Sequence, residues 1–119
     1  MAAPTEPSIE RVSPPPADGV VVLALGGELD LAMHEQFHGL VDEVIAEQPR
    51  LVVADLTAAE FMDSTMLREL LRAHASLEEA GSRLVVVDPQ PPVRRLFELT
   101  GTDDLLSLVG SREQALDGA

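Results

Sequence analysis

A serine between an acid and a second hydroxyl, Asp63-Ser64-Thr65, marks a change of hydrophobic pattern in this chain. Upstream, Leu51-Val52-Val53-Ala54-Asp55-Leu56 is a short apolar run that reads as a buried strand. Downstream, Leu67, Leu70, Leu71 and Leu77 fall on one face of a helix. The serine is therefore expected where a strand hands over to a helix N-terminus. Backbone N–H groups are unpaired there and the helix dipole is positive, so the place suits a phosphate ester on Ser64.

Other residue patterns suggest other chemistry. His34-Glu35-Gln36-Phe37-His38 fits the zinc-protease pattern H-E-x-x-H on an expected helix, with Glu35 as base and Glu60 as a conceivable third ligand. The pattern is read as coincidence. Phe37 belongs to the core stripe, and Val41 and Val44 stand where an extended zincin signature needs glycine and histidine. Ser64 as a hydrolase nucleophile would need glycines where Met62 and Met66 stand. His74 is expected to pack in the core. Gly26-Gly27 is not followed by a Walker-type lysine, and the eight strong cations are all arginine. Arg94-Arg95 reads as a solvated helix face. No catalytic residue, metal or cofactor is expected.

The formal net charge of −13 argues against nucleic acid, whose phosphates need Lys and Arg to neutralise them, and against an anionic membrane surface. It permits a partner with a basic face. Cysteine is absent, which removes disulfides and thiol chemistry. No secretory signal is visible and no apolar run approaches a membrane span, so a cytoplasmic protein is the expectation.

With 119 residues, one domain is expected: a loose tail over residues 1–7 and a folded unit over 8–119. A weak edge strand over 8–13 and a buried strand over 20–25 should form a hairpin around the proline turn at 14–19. Gly26-Gly27 should break the second strand, with Asp30 capping a helix over 31–48 that carries Met33, Phe37, Leu40, Val41, Val44 and Ile45. A strand over 50–56, a helix over 64–80 with Gly81 at its end, and a strand over 83–88 come next. Pro91-Pro92 opens a helix that Gly101 closes; a strand over 105–109 and a short helix capped by Ser111 and Gln114 complete the chain. Alternating strands and helices imply an α/β fold with a mixed, mostly parallel sheet.

Gly27-Glu28-Leu29-Asp30, Phe61-Met62-Asp63-Ser64-Thr65 and Arg95-Leu96-Phe97-Glu98-Leu99-Thr100-Gly101, in this order and with these elements between them, resemble the STAS-domain anti-sigma factor antagonists of bacteria. The resemblance spans about residues 8 to 117. It implies a central mixed sheet with helices packed mainly on one face. It also implies partner switching: the unphosphorylated protein binds an anti-sigma factor that is also a serine kinase, and phosphorylation releases it. A serine phosphatase resets the switch. Carried onto this chain, the phosphoacceptor is Ser64, Asp63 and Thr65 flank it, and Asp30 joins from the neighbouring loop. The protein is then a kinase substrate and not an enzyme, with a monomer as the default.

The family glycine after Ser-Thr is replaced by Met66, and Arg68 stands two further on. Met66 is expected at the partner-facing edge, where a flexible thioether would retarget binding or impede phosphorylation. Arg68, one turn after Ser64, is expected to pair with the phosphate. The competing readings are a STAS scaffold that no longer switches and a zinc-dependent hydrolase using His34 and His38.

Overall fold

Alternation of side chains along three buried strands decides the layering. The computed structural model describes residues 6–117; the expected tail lies mostly outside them. In β2 (Val20–Leu29), Val21, Leu23 and Leu25 point to one side of the sheet and Val20 and Val22 to the other. Likewise, in β3 (Leu51–Met62), Val52, Ala54 and Leu56 oppose Leu51 and Val53. In β4 (Leu84–Val87), Leu84 and Val86 oppose Val85 and Val87. Side chains of a strand alternate with period two, so a run apolar at every position must be covered on both faces.

The larger face is covered by α1 (His34–Ala46), α2 (Ser64–Glu79) and α3 (Pro91–Thr100). Phe37, Val41 and Val44 of α1, Leu67, Leu70, Ala73 and Leu77 of α2, and Val93 and Phe97 of α3 are buried against it. Each of these side chains larger than alanine contributes about 1.5–3 kcal/mol of transfer free energy. The smaller face is covered by α4 (Arg112–Asp117) through Ala115 and Leu116. The sheet has five strands in the order β1-β2-β3-β4-β5. β1 (Ser8–Arg11) is antiparallel to β2, and the pairs through to β5 (Ser107–Val109) are parallel. The expected mixed sheet and one-sided helices are both present.

Several boundaries differ from expectation. Gly26-Gly27 does not end β2; the strand runs on to Leu29 through a bulge at which Gly27 takes φ 75°. Its partner β3 continues past Leu56 to Met62, with Gly26 beside Ala58 and Leu29 beside Met62. Thr57 to Glu60 carries no apolar pattern of its own, and it is the neighbouring strand that supplies its ladder. The 31–48 helix also divides into a 3-10 turn at Leu31–Met33 and α1 proper.

Other signals act as read. Gly81, at φ 82°, closes α2: its N–H bonds Glu78 O and the Ser82 N–H bonds Leu77 O at 2.8 Å, the paired bonds of a Schellman cap. The Ser111 hydroxyl accepts from the Gln114 N–H at 3.1 Å. The Gln114 carboxamide in turn accepts from the Gly110 N–H, one residue earlier than a standard capping box.

Candidate functional site

The extended β2 and β3 end together, and that shared end builds the site. Leu29 lies beside Met62, and the Asp63 N–H donates to Leu29 O at 3.1 Å. Asp30 and Asp63 are thus the first residues beyond two neighbouring parallel strands. Each caps the helical turn that begins directly after it. The Asp30 carboxylate accepts from the Ala32 N–H at 2.9 Å and the Asp63 carboxylate from the Met66 N–H at 2.9 Å. Asp63 has extended backbone, so the chain passes from strand to helix over one residue.

Ser64 is the first residue of α2 and is exposed. Its hydroxyl stands beside unpaired N–H groups of the first turn of a 16-residue helix. Thr65 is half-buried beside it. Arg68 is exposed one turn later and makes no ion pair among the described residues. The Asp63 carboxylate caps this terminus, and Ser64 is exposed to solvent at its head.

Met66 does not lie where it was expected. Its side chain is 1% exposed and packs in the main core with Leu67, Leu70 and Met62. The third residue of a helix laid on a sheet faces inward when Leu70 and Ala73, four and seven positions on, do so. Met66 is a core residue of this chain and offers no side chain to a partner. Phe61 and Leu31 are 48% and 66% exposed: Phe61 lies on β3 two residues before Asp63, and Leu31 opens the 3-10 turn directly after Asp30. Sequence patterning did not single them out, because an apolar residue next to a buried stretch reads as core. The signal was the short distance in sequence from each to a capping aspartate.

The remaining motifs fall elsewhere. His34 and His38 lie on the face of α1 turned to α2, where both meet Glu69, and Glu60 is not part of that cluster. Burial raises the Glu69 carboxyl, but bonds from Arg72, His38 and His34 outweigh it and leave it below the usual range. His74 is only partly in the core: its Nδ1 is buried without a hydrogen-bond partner among the described residues, and its Nε2 lies 3.6 Å from Glu78. Arg94 bonds Asp88 at 3.1 Å along an open groove at the start of α3. On the opposite face, Asp55 is buried at 9% exposure and meets Arg112 of α4 at 2.6 Å. Burial raises Asp55, yet the Thr57 hydroxyl and N–H and the Arg112 guanidinium bring it below the ordinary carboxylate value. No helix among the described residues is long and apolar enough to cross a membrane.

Residues 12–115 match the model of the STAS domain family. The chain belongs to that family. Among curated proteins this STAS domain is similar to the anti-sigma-F factor antagonist RsfB of Mycobacterium tuberculosis, at 35% identity over 103 residues, covering 85% of this chain and 82% of that one. Its fold is similar to the crystal structure of an anti-sigma factor antagonist from Mycobacterium paratuberculosis. The TM-score is 0.84 at 29% identity, over 99% of this chain and 97% of the other. A structure of the anti-sigma factor antagonist SpoIIAA in its unphosphorylated form is also similar, with a TM-score of 0.75 at 26% identity and 94% coverage of both chains.

Proposed function

We propose that this STAS domain is an anti-sigma factor antagonist. Unphosphorylated, it binds an anti-sigma factor that is also a serine kinase; phosphorylated on Ser64, it is released, and a serine phosphatase restores it. The observation that carries the reading is the exposed Ser64 at a helix N-terminus capped by Asp63, with Asp30 at the neighbouring strand end. The similar curated and solved proteins named as anti-sigma factor antagonists support it.

The chemistry of release follows from charge. A phosphate adds about −1.5 to −2 charges and three acceptor oxygens. At the first turn of α2 the free N–H groups and the dipole accommodate it, so the fold survives. Inside an interface the same group must be desolvated next to Asp30 and Asp63. A partner groove lined to receive Leu31 and Phe61, with cations for the two aspartates, then meets excess negative charge where apolar contact is needed. The cost is on the order of several kcal/mol, and each 1.4 kcal/mol is tenfold in affinity. Regulation therefore acts on the complex and leaves the domain intact.

The scaffold reading drew its support from Met66 as an interface residue. With that side chain in the core, this support is gone. Arg68 keeps its proposed part of holding the phosphate in the free, modified protein, supported by its exposure, its lack of an ion pair among the described residues and its spacing of one turn from Ser64.

The test is capture of partners from the native cell with Ser64→Ala and Ser64→Asp proteins, followed by incubation of the captured kinase with ATP and wild-type protein. A kinase of the anti-sigma type retained by alanine, lost with aspartate, and adding one phosphate at Ser64 supports the proposal. Equal retention by both variants, or modification elsewhere, refutes it.

A further inference from the structure

We infer that His34, His38 and Glu69 form a binding site for one divalent transition-metal ion of the zinc type, which ties α1 to α2. This goes beyond the switch at Ser64 and does not depend on it.

The two histidines are four residues apart on α1 and so share one helix face. Glu69 comes from the facing helix α2, 7% exposed, with its carboxylate spread between them. His34 Nε2 lies 2.9 Å from one carboxylate oxygen and His38 Nδ1 lies 3.2 Å from the other. The three potential ligand atoms all lie within 4.8 Å of one another. Ligand atoms at roughly 2.0–2.2 Å from a tetrahedral ion are themselves about 3.3–3.6 Å apart. Each histidine therefore stands within a few tenths of an ångström of ligand spacing from one carboxylate oxygen, and side-chain rotation must bring both imidazoles, now within 4.8 Å of the other ligand atoms, around a common ion. The half-exposed imidazoles leave one side open for a water as fourth ligand.

The surroundings also match. With His38 Nδ1 turned to the ligand position, its Nε2 points at Asp42, 3.5 Å away. A carboxylate on the far nitrogen fixes the tautomer that ligates through the near one, the usual outer partner of a metal-bound histidine. Two imidazoles and one carboxylate favour zinc and its neighbours in the transition series over magnesium or calcium, which take oxygen ligands. Arg72 opposes the ion: its Nε bonds Glu69 at 3.2 Å. A second carboxylate, Asp42, lies 3.9 Å from Arg72 Nη2 and can keep that cation when the metal takes Glu69.

The site binds and does not hydrolyse. Glu35, the base that the H-E-x-x-H pattern requires, is exposed on another face of α1. There it lines a groove with Ile9, Arg11 and Gly39 beside β1. Glu35 thus lies on the β1 side of α1, whereas the imidazoles meet Glu69 of α2.

The experiment uses the untagged full chain, stripped with chelator and titrated with Zn2+ by calorimetry and with Co2+ by visible absorption. One saturable equivalent and a cobalt spectrum of tetrahedral nitrogen–oxygen type are expected. His34→Ala, His38→Ala and Glu69→Gln should each weaken binding by at least about tenfold. Both histidines are partly exposed, so their variants keep the fold even if Glu69→Gln does not. Arg72→Met should tighten binding several-fold by removing the competing cation, whereas ions scattered on acidic surface residues would ignore it. Absence of a saturable equivalent, or binding unchanged in both histidine variants, overturns the inference.

Discussion

Replacing Met66 by glycine separates a packing role from a recognition role. Met66 is 1% exposed and packs within the main core against Met62, Leu67 and Leu70. Truncating a buried methionine to alanine costs about 2–5 kcal/mol, through lost transfer free energy and the cavity left behind. Glycine adds up to about 1 kcal/mol, less in a first turn than mid-helix. The Asp63 cap survives, because it uses the backbone N–H of residue 66. The expected loss is therefore about 2–6 kcal/mol, set against a total of roughly 5–15 kcal/mol for a domain of this kind. With a urea slope near 2 kcal/mol per molar, the midpoint should fall by about 1–3 M at unchanged slope. Met66→Leu, which nearly conserves volume, should cost under about 1.5 kcal/mol. Its affinity for the captured partner should stay within threefold of wild type. A glycine variant that loses less than about 1 kcal/mol by urea unfolding would refute the packing argument, since no side chain so enclosed can be removed at so little cost. A tenfold affinity change in the leucine variant would return Met66 to the interface.

Ser64→Glu should leave the urea midpoint within experimental error of wild type while weakening the partner complex by at least about a hundredfold, or 2.8 kcal/mol, in calorimetry. Leu31→Ala and Phe61→Ala should each cost more than about 1 kcal/mol of binding and little folding stability, because both side chains are largely exposed in the free protein. Asp55→Asn should flatten the acid limb of the stability–pH profile. The folded carboxyl sits below its unfolded value near 3.9, so its contribution is complete above that pH and is lost as pH falls through the lower folded value. Urea midpoints measured from neutral pH downward should show a steeper acid decline in wild type than in the variant. Arg68→Ala should speed spontaneous or phosphatase-driven loss of phosphate from Ser64, read by intact-mass spectrometry; an unchanged rate removes Arg68 from the site.

Local order was legible in the residues themselves. The turn to a helix at Ser64, the cap at Asp30, the glycine stop at Gly81 and the buried strands all act through neighbours a few positions away. Such signals are written in spacing and in single-residue backbone preferences, so the α/β order and the place of the serine could be read before any fold was known. Depth and convergence were not legible. Whether Met66 faces a partner or the core depends on the rotation of α2 against the sheet. The strand character of Thr57 to Glu60 comes from β2 beside it. Glu69 meets His34 and His38 across 35 and 31 positions because two helices pack side by side. Contacts of that kind are created by docking one element on another, and no local pattern encodes the angle at which they dock. The chain alone determined that a hydroxyl would stand at the head of a helix. Only tertiary packing decided that it stands in the open, with its neighbour Met66 sealed in the core.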